Sequence, residues 1–272
     1  VDPSNPANRV IADVALAPRN AKGLVEFSAD LYILTPRDAR AANGTILFEV
    51  VNRGNKLLLG NFNRARSSRE LQSPADFGDG FLMEQGFTLV WLGWQLDVPD
   101  EAQRLRLYAP VVKGVVGTVR SNFVLSHAQE SVLLSDREHI AYPVANAAGA
   151  TLSVRTRAND KPTLIPRDKW RFPDPTHVAL DGGFAAGRIY EVIYKSRNPA
   201  LVGLGPAAVR DLISFLKYGG ASHALAEKRP HFKRALGFGI SQSGRFLRTF
   251  LYHGFNADEN RRKVFDGVWA SV

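Results

Sequence analysis

The stretch from Ala235 to Gly254 constrains the fold more than any other. A short apolar run, Ala235 to Ile240 (ALGFGI), passes without a loop into Ser241-Gln242-Ser243-Gly244 and then into a helical segment. In that segment Phe246, Phe250 and His253 share one face, Leu247 and Leu251 lie beside them, and Gly254 stops it. A strand that turns this sharply into a helix needs small neighbours, because backbone passes close on both sides. Gly239 stands two residues before Ser241, Ser243 two after, and Gly244 three after. Such a turn exposes a serine hydroxyl. It also aims the next N–H, that of Gln242, and the helix N-terminus at the group the serine attacks. Ser241 is therefore the candidate nucleophile. Ser243 competes less well, since Arg245 at its +2 position is too large for the turn. The string alone is weak, and the strand before it and helix after it give it weight. Close strand–helix packing is the other reason for Gly237 and Gly239, and it holds either way.

The rest of the chain supplies a context for this turn. Thr45 to Val51 (TILFEVV) and Phe87 to Trp94 (FTLVWLGW) are nearly continuous apolar runs, as expected of strands buried on both faces. Between them, Asn61 to Gly80 reads as loop and Gly80 to Gln85 as a short helix ended by Gly86, giving a βαβ unit. Val25 to Thr35 alternates like a strand and is closed by Pro36. A helix is expected from Gly205-Pro206, with Pro206 at its first position. Its apolar stripe is Val209, Leu212, Ile213 and Leu216, and Gly219-Gly220 ends it. Val264 to Val272 reads as one more buried strand. Gln95 to Ala200 differs, with short strand-like pieces between turns, and reads as a β-rich insertion or cap. The expected organisation is core segments at 1–94 and 201–272 around this insertion. The expected fold class is α/β, a mostly parallel sheet with helices on both faces. Trp91, Trp94 and Trp170 read as aromatic core.

Composition removes other classes. The 272 residues are 45% hydrophobic, enough for a full core, and no apolar run is long enough for a membrane span. There is no cysteine, hence no thiol nucleophile or cysteine zinc site. The net charge of +9 invites nucleic acid, but the basic residues are scattered, with only short clusters at Arg261-Arg262-Lys263 and at Lys228, Arg229, Lys233 and Arg234. Arginines make up 25 of the 35 basic residues, a bias that composition alone produces. A solvated basic surface is the preferred reading, with no nucleic-acid partner. No metal-ligand spacing, dinucleotide fingerprint or P-loop is present, so no cofactor and no metal are expected. No signal-peptide pattern precedes Val25.

The turn at Ser241, the helix GRFLRTFLYHGFN, the upstream GLGPAAVRDLISFLKY and the fragment VVNRGN together resemble the α/β-hydrolase superfamily. They are most similar to a bacterial group of alpha/beta hydrolase domain-containing proteins with a large β-rich insertion. The resemblance runs from about Val25 to the C-terminus. It implies a serine hydrolase acting on small-molecule esters through an acyl-enzyme. It also implies a second oxyanion donor after the Thr45–Val51 strand, at Asn52-Arg53-Gly54, which departs from the HGGG string of lipases. A plain turn is the alternative there.

A serine needs a histidine base oriented by a carboxylate, in the chain order Ser, acid, His. After Ser241 only His253, Asp258, Glu259 and Asp266 remain. His253 lies three turns along the helix, Asp258 and Glu259 read as surface loop, and Asp266 sits at the start of the last strand. His127, His139, His177, His223 and His231 precede the turn and read as structural or exposed. The expectation is an acid and base beyond Val272, in a C-terminal remainder, with the fold left incomplete here. Two alternatives stay open: an acyltransferase on the same fold, and a non-catalytic binding or scaffolding protein.

Overall fold

The two apolar runs become neighbouring strands at the centre of a sheet. A computed structural model of the chain describes residues 1–101, 103–136, 138–219 and 232–272. Gly220, His223, Lys228, Arg229 and His231 lie outside the described residues. Two compact units are present, Val1–Pro110 with Leu201–Val272, and Val111–Ala200.

In chain order, the first unit opens with β1 (Ser28–Ala29), β2 (Leu31–Leu34) and β3 (Thr45–Val50). Three short helices follow, α1 (Leu58–Asn63), α2 (Pro74–Phe77) and α3 (Phe81–Glu84), then β4 (Thr88–Leu92) and β5 (Leu107–Tyr108). All of β3 and β4 is buried. The second unit holds β6 (Val116–Val124), β7 (Gln129–Leu133), β8 (Asn146–Arg155), β9 (Thr163–Ile165), β10 (Trp170–Asp174), β11 (His177–Phe184) and β12 (Ile189–Arg197). The first unit resumes with α4 (Leu204–Tyr218), β13 (Arg234–Ile240), α5 (Gln242–Tyr252) and β14 (Gly267–Ser271).

The main sheet has the order β14-β13-β3-β4-β2. Three of its contacts are parallel, and β2 joins β4 antiparallel. The other sheets are antiparallel, so over the described chain antiparallel pairings outnumber parallel ones. A mostly parallel sheet therefore describes one sheet and not the whole chain, because the second unit is built from antiparallel strands. In it, β6-β12-β8-β9 and β10-β11-β7 enclose a core with Leu152, Val178, Phe184, Val192, Tyr194 and Trp170.

Local departures from the sequence reading have local causes. The Val25–Thr35 run is split at Asp30, whose N–H donates to Arg106 O and whose carboxylate accepts from Arg106 N–H. β1 thus leaves the main sheet to pair with β5. The supposed loop at 61–80 contains the end of α1 and all of α2, the latter capped by Ser73 and Asp76 in a reciprocal box. Helix α4 starts at Leu204, which places Pro206 third rather than first. A proline fits there too, because first-turn N–H groups have no intrahelical acceptor. Its buried face also differs: Leu212 and Leu216 are only half-buried, while Arg210, Ser214 and Lys217 are buried beside Val209 and Ile213. β14 begins at Gly267, since Val264 and Phe265 are buried in the preceding loop and Asn256 bonds the Phe265 backbone. No helix among the described residues is long and apolar enough to cross a membrane.

Candidate active site

Ser241 sits at the junction of β13 and α5 with φ 59° and ψ −118°. Few L-residues hold this conformation, which costs about 1–3 kcal/mol and needs its surroundings to enforce it. The enforcement is visible. Ser241 N–H donates to Ser271 O on β14 at 2.8 Å. A Cβ on Gly239 would stand 2.6 Å from the backbone carbonyl of Ser243. A Cβ on Gly244 would stand 2.0 Å from Ser271 O. Small residues at these positions let strand and helix meet at van der Waals distance. Ser241 is exposed, whereas Ser243 is buried in the first turn of α5 with no partner for its Oγ among the described residues. Gln242, the first residue of α5, has no carbonyl one turn back for its N–H.

Beyond β3 the chain makes a tight turn. Asn52 and Asn55 exchange backbone hydrogen bonds, with Arg53 at φ 47° and Gly54 at φ 77° between them. Arg53 N–H donates to Gln95 Oε1 at 3.2 Å. Gly54 N–H has no acceptor among the described residues, and a Cβ there would meet Arg104 Cβ at 2.9 Å.

Glu49 is a buried residue that sequence reasoning passed over, because its neighbours in TILFEVV are apolar. Register aligns Trp269, Phe238, Glu49, Trp91 and Tyr32 across the sheet, so all project to one face. Phe62 of α1 packs on this row, 5.0 Å from the Phe238 ring and 6.0 Å from that of Trp269. Within it the Glu49 carboxylate accepts from Leu57 N–H, Leu58 N–H and Trp91 Nε1–H. One carboxylate therefore ties the loop after β3 to the central strands.

Burial lifts the Glu49 carboxyl from 4.5 to about 7, against the opposing pull of these hydrogen bonds. The folded state binds this proton more tightly than the unfolded chain. Stability is therefore greatest below the ordinary carboxyl range and is lost as pH rises to about 7. The loss is on the order of 3 kcal/mol. Glu49→Gln has no proton to take up there and is expected to flatten that part of the stability–pH curve. It also lowers stability overall, because an amide nitrogen would face a backbone donor. Denaturant unfolding at pH 5, 6 and 7 checks this, and parallel curves for the two proteins would rule it out.

The carboxylates that follow Ser241 are held in structural contacts. Asp258 is buried, not a surface-loop residue: it accepts from Ser214 Oγ, Arg262 Nε and the backbone of Asn260 and Arg262. Glu259 accepts from Asn8 Nδ2 and Arg210. Asp266 joins Lys217 Nζ and Ala235 N–H ahead of β14. Together these contacts explain the polar buried face of α4, since Arg210, Ser214 and Lys217 each meet one of the three acids. His253 caps the far end of α5. His127, His139 and His177 belong to the second unit and bond locally, to Ser126 and Gln129, to Asp136, and to Asp174 and Thr176. Backbone and side-chain bonds from Thr176 and His177 hold Asp174 down at about 2. Among the described residues no side chain caps or bonds the Ser241 hydroxyl, and none form a group of three potential metal ligands.

A cavity of about 250 Å³ opens beside this turn, with Ile240, the residue before Ser241, in its wall. Leu59, Leu71 and Trp91 supply apolar surface, and Lys56 and Arg66 supply cations. Trp91 is fully buried core and is among the residues that line this chamber. Trp94 bonds Val51 O through its indole N–H at 2.7 Å and packs on Phe246. Trp170 belongs to the second core.

A sequence family described as "Alpha/beta hydrolase domain" matches residues 152–272. The match takes in the last strands of the second unit as well as α4, β13, the turn and α5. Comparison with curated proteins and with solved structures gave no match. The family match covers the strained serine turn between a parallel strand and a helix, and over these residues the chain is similar to the α/β-hydrolase domain family.

Proposed function

We propose that the protein is a serine hydrolase of carboxylic esters that works through an acyl-enzyme. The observation that carries this reading is Ser241: exposed, held in a strained conformation, and set at the N-terminus of α5. In the reaction Ser241 Oγ bonds to the ester carbonyl carbon while its proton passes to a base. The carbonyl oxygen becomes an oxyanion that accepts from Gln242 N–H. A second donor comes from the turn after β3. Gly54 suits this better than Arg53, whose N–H is already given to Gln95. Collapse breaks the bond to the alcohol, which leaves with the proton. Water then attacks the acyl-enzyme, releasing the carboxylic acid and restoring the serine hydroxyl. In this reading the acid and histidine lie outside the described residues.

A fluorophosphonate probe is expected to label Ser241 in the full-length protein and not in Ser241→Ala. Label at another residue, or equal label in the variant, ends the proposal. The absence of a described partner for the Ser241 hydroxyl favours a second reading, a non-catalytic binding protein on the same fold. That reading predicts no label at all. An acyltransferase differs only in the acceptor, and product analysis with added alcohol separates it.

A further inference from the structure

The chamber beside Ile240 has an uneven lining. Most of its wall is apolar, from Leu57, Leu59, Ala65, Leu71, Trp91 and Ile240. Its volume of about 250 Å³ equals roughly eight water-sized groups, enough for a short acyl chain. A second depression of about 540 Å³ adjoins it, shares Lys56, Leu57, Ser67 and Ser68 with it, and is otherwise lined by Asn52, Asn55 and Arg69.

Lys56 stands where the two meet. It is 9% exposed. Its ammonium donates to Arg69 O and lies 4.8 Å from the centre of the Tyr32 ring. Three N–H donors are thus served by one carbonyl and one aromatic face. Among the described residues no carboxylate lies within ion-pair distance of it, and Glu49 and Glu70 act on it only from farther away. The neighbouring cations are committed. Arg66 pairs with Asp76 at 2.8 Å, and Arg69 bonds Glu101 at 2.9 Å and Asn55 Oδ1 at 2.9 Å. Burial of an unpaired ammonium is costly unless an anion joins it. The uncommitted charge therefore lines a chamber whose wall also includes Ile240, the residue before the nucleophile.

We propose that this chamber selects esters whose acyl chain ends in a carboxylate, with the methylene groups against Leu59, Leu71 and Trp91 and the carboxylate on Lys56. The proposal rests on the hydrolase reading of Ser241 for its chemistry, but the anion site itself does not need turnover. The test compares mono-p-nitrophenyl glutarate with p-nitrophenyl valerate, acyl chains of equal length with and without the terminal charge. It also measures binding of free glutarate by calorimetry. The full-length protein is expected to favour the glutarate ester by about tenfold or more in kcat/KM. It is also expected to bind glutarate. Lys56→Met should bring the ratio close to one and remove glutarate binding, while Lys56→Arg should keep both.

A ratio at or below one without glutarate binding overturns the site and leaves the hydrolase reading standing. Glutarate binding that Lys56→Met removes, with neither ester hydrolysed, upholds the site and overturns the hydrolase reading. A wild-type ratio that survives in folded Lys56→Met overturns the role of Lys56. If Lys56→Met does not fold, the wild-type ratio, glutarate binding and the Lys56→Arg variant decide.

Discussion

Ser241→Ala is expected to lower kcat for ester hydrolysis by roughly 10⁴- to 10⁶-fold, with little change in KM, because it removes the atom that bonds to the substrate. Fold and stability should be nearly untouched, since Ser241 is exposed and nothing caps with its hydroxyl. Ser241→Gly is the sharper variant. It should be equally inactive, yet more stable by about 1–3 kcal/mol, because glycine adopts φ 59° and ψ −118° without the penalty serine carries. Stopped-assay kinetics and denaturant unfolding on the same three proteins check both halves. Wild-type turnover in Ser241→Ala would move the chemistry elsewhere. A Ser241→Gly protein less stable than wild type would mean that the turn is not strained.

Gly244→Ala is expected to be a strongly damaging single-methyl change at the serine turn. Its Cβ would lie 2.0 Å from Ser271 O and 2.8 Å from Ser271 C, and both are backbone atoms that cannot swing aside. The same carbonyl accepts from Ser241 N–H. To make room, α5 must separate from β14, which opens the packing of Phe250 on Phe265 and disturbs the serine turn at once. A loss of about 4 kcal/mol or more is expected, a large part of the total stability of a chain this size. Thermal unfolding measures it. A midpoint within a few degrees of wild type would show that helix and strand do not meet as closely as the structure has them. Gly254→Ala is the contrasting control, because no atom lies within 4 Å of its Cβ position. Only its positive φ of 79° is strained, so a smaller loss of about 1 kcal/mol is expected.

The two variants mark the line between what local sequence carries and what it does not. The serine turn was legible because its determinants are contiguous. A strand, Gly239, Ser241, Ser243, Gly244 and a helix follow one another, and each restricts the next. The central strands were legible for a similar reason, since β3 and β4 are apolar at almost every position. The acids after Ser241 were legible only as residues. Asp258 was read as exposed because Ala257, Glu259 and Asn260 around it are what a surface loop contains. Its partner Ser214 lies 44 residues earlier on α4, and no local pattern carries that distance.

Glu49 shows the same limit at the site itself. Its position in an apolar strand said only that the strand is buried. That its carboxylate holds the loop after β3 depends on Leu57 and Leu58, eight and nine residues on, and on Trp91, 42 residues on. The sequence by itself therefore determined the strand-to-helix turn, the identity of its exposed serine and the buried character of the middle strands. These rest on backbone sterics and burial, which neighbours in the chain impose on each other. Only the tertiary structure decided that Glu49 anchors the loop, that Asp258, Glu259 and Asp266 clamp α4, and that Lys56 lines the chamber beside Ile240 with no carboxylate among the described residues at ion-pair distance. Each of those depends on a charge meeting, or failing to meet, a group brought to it by sheet register and helix packing.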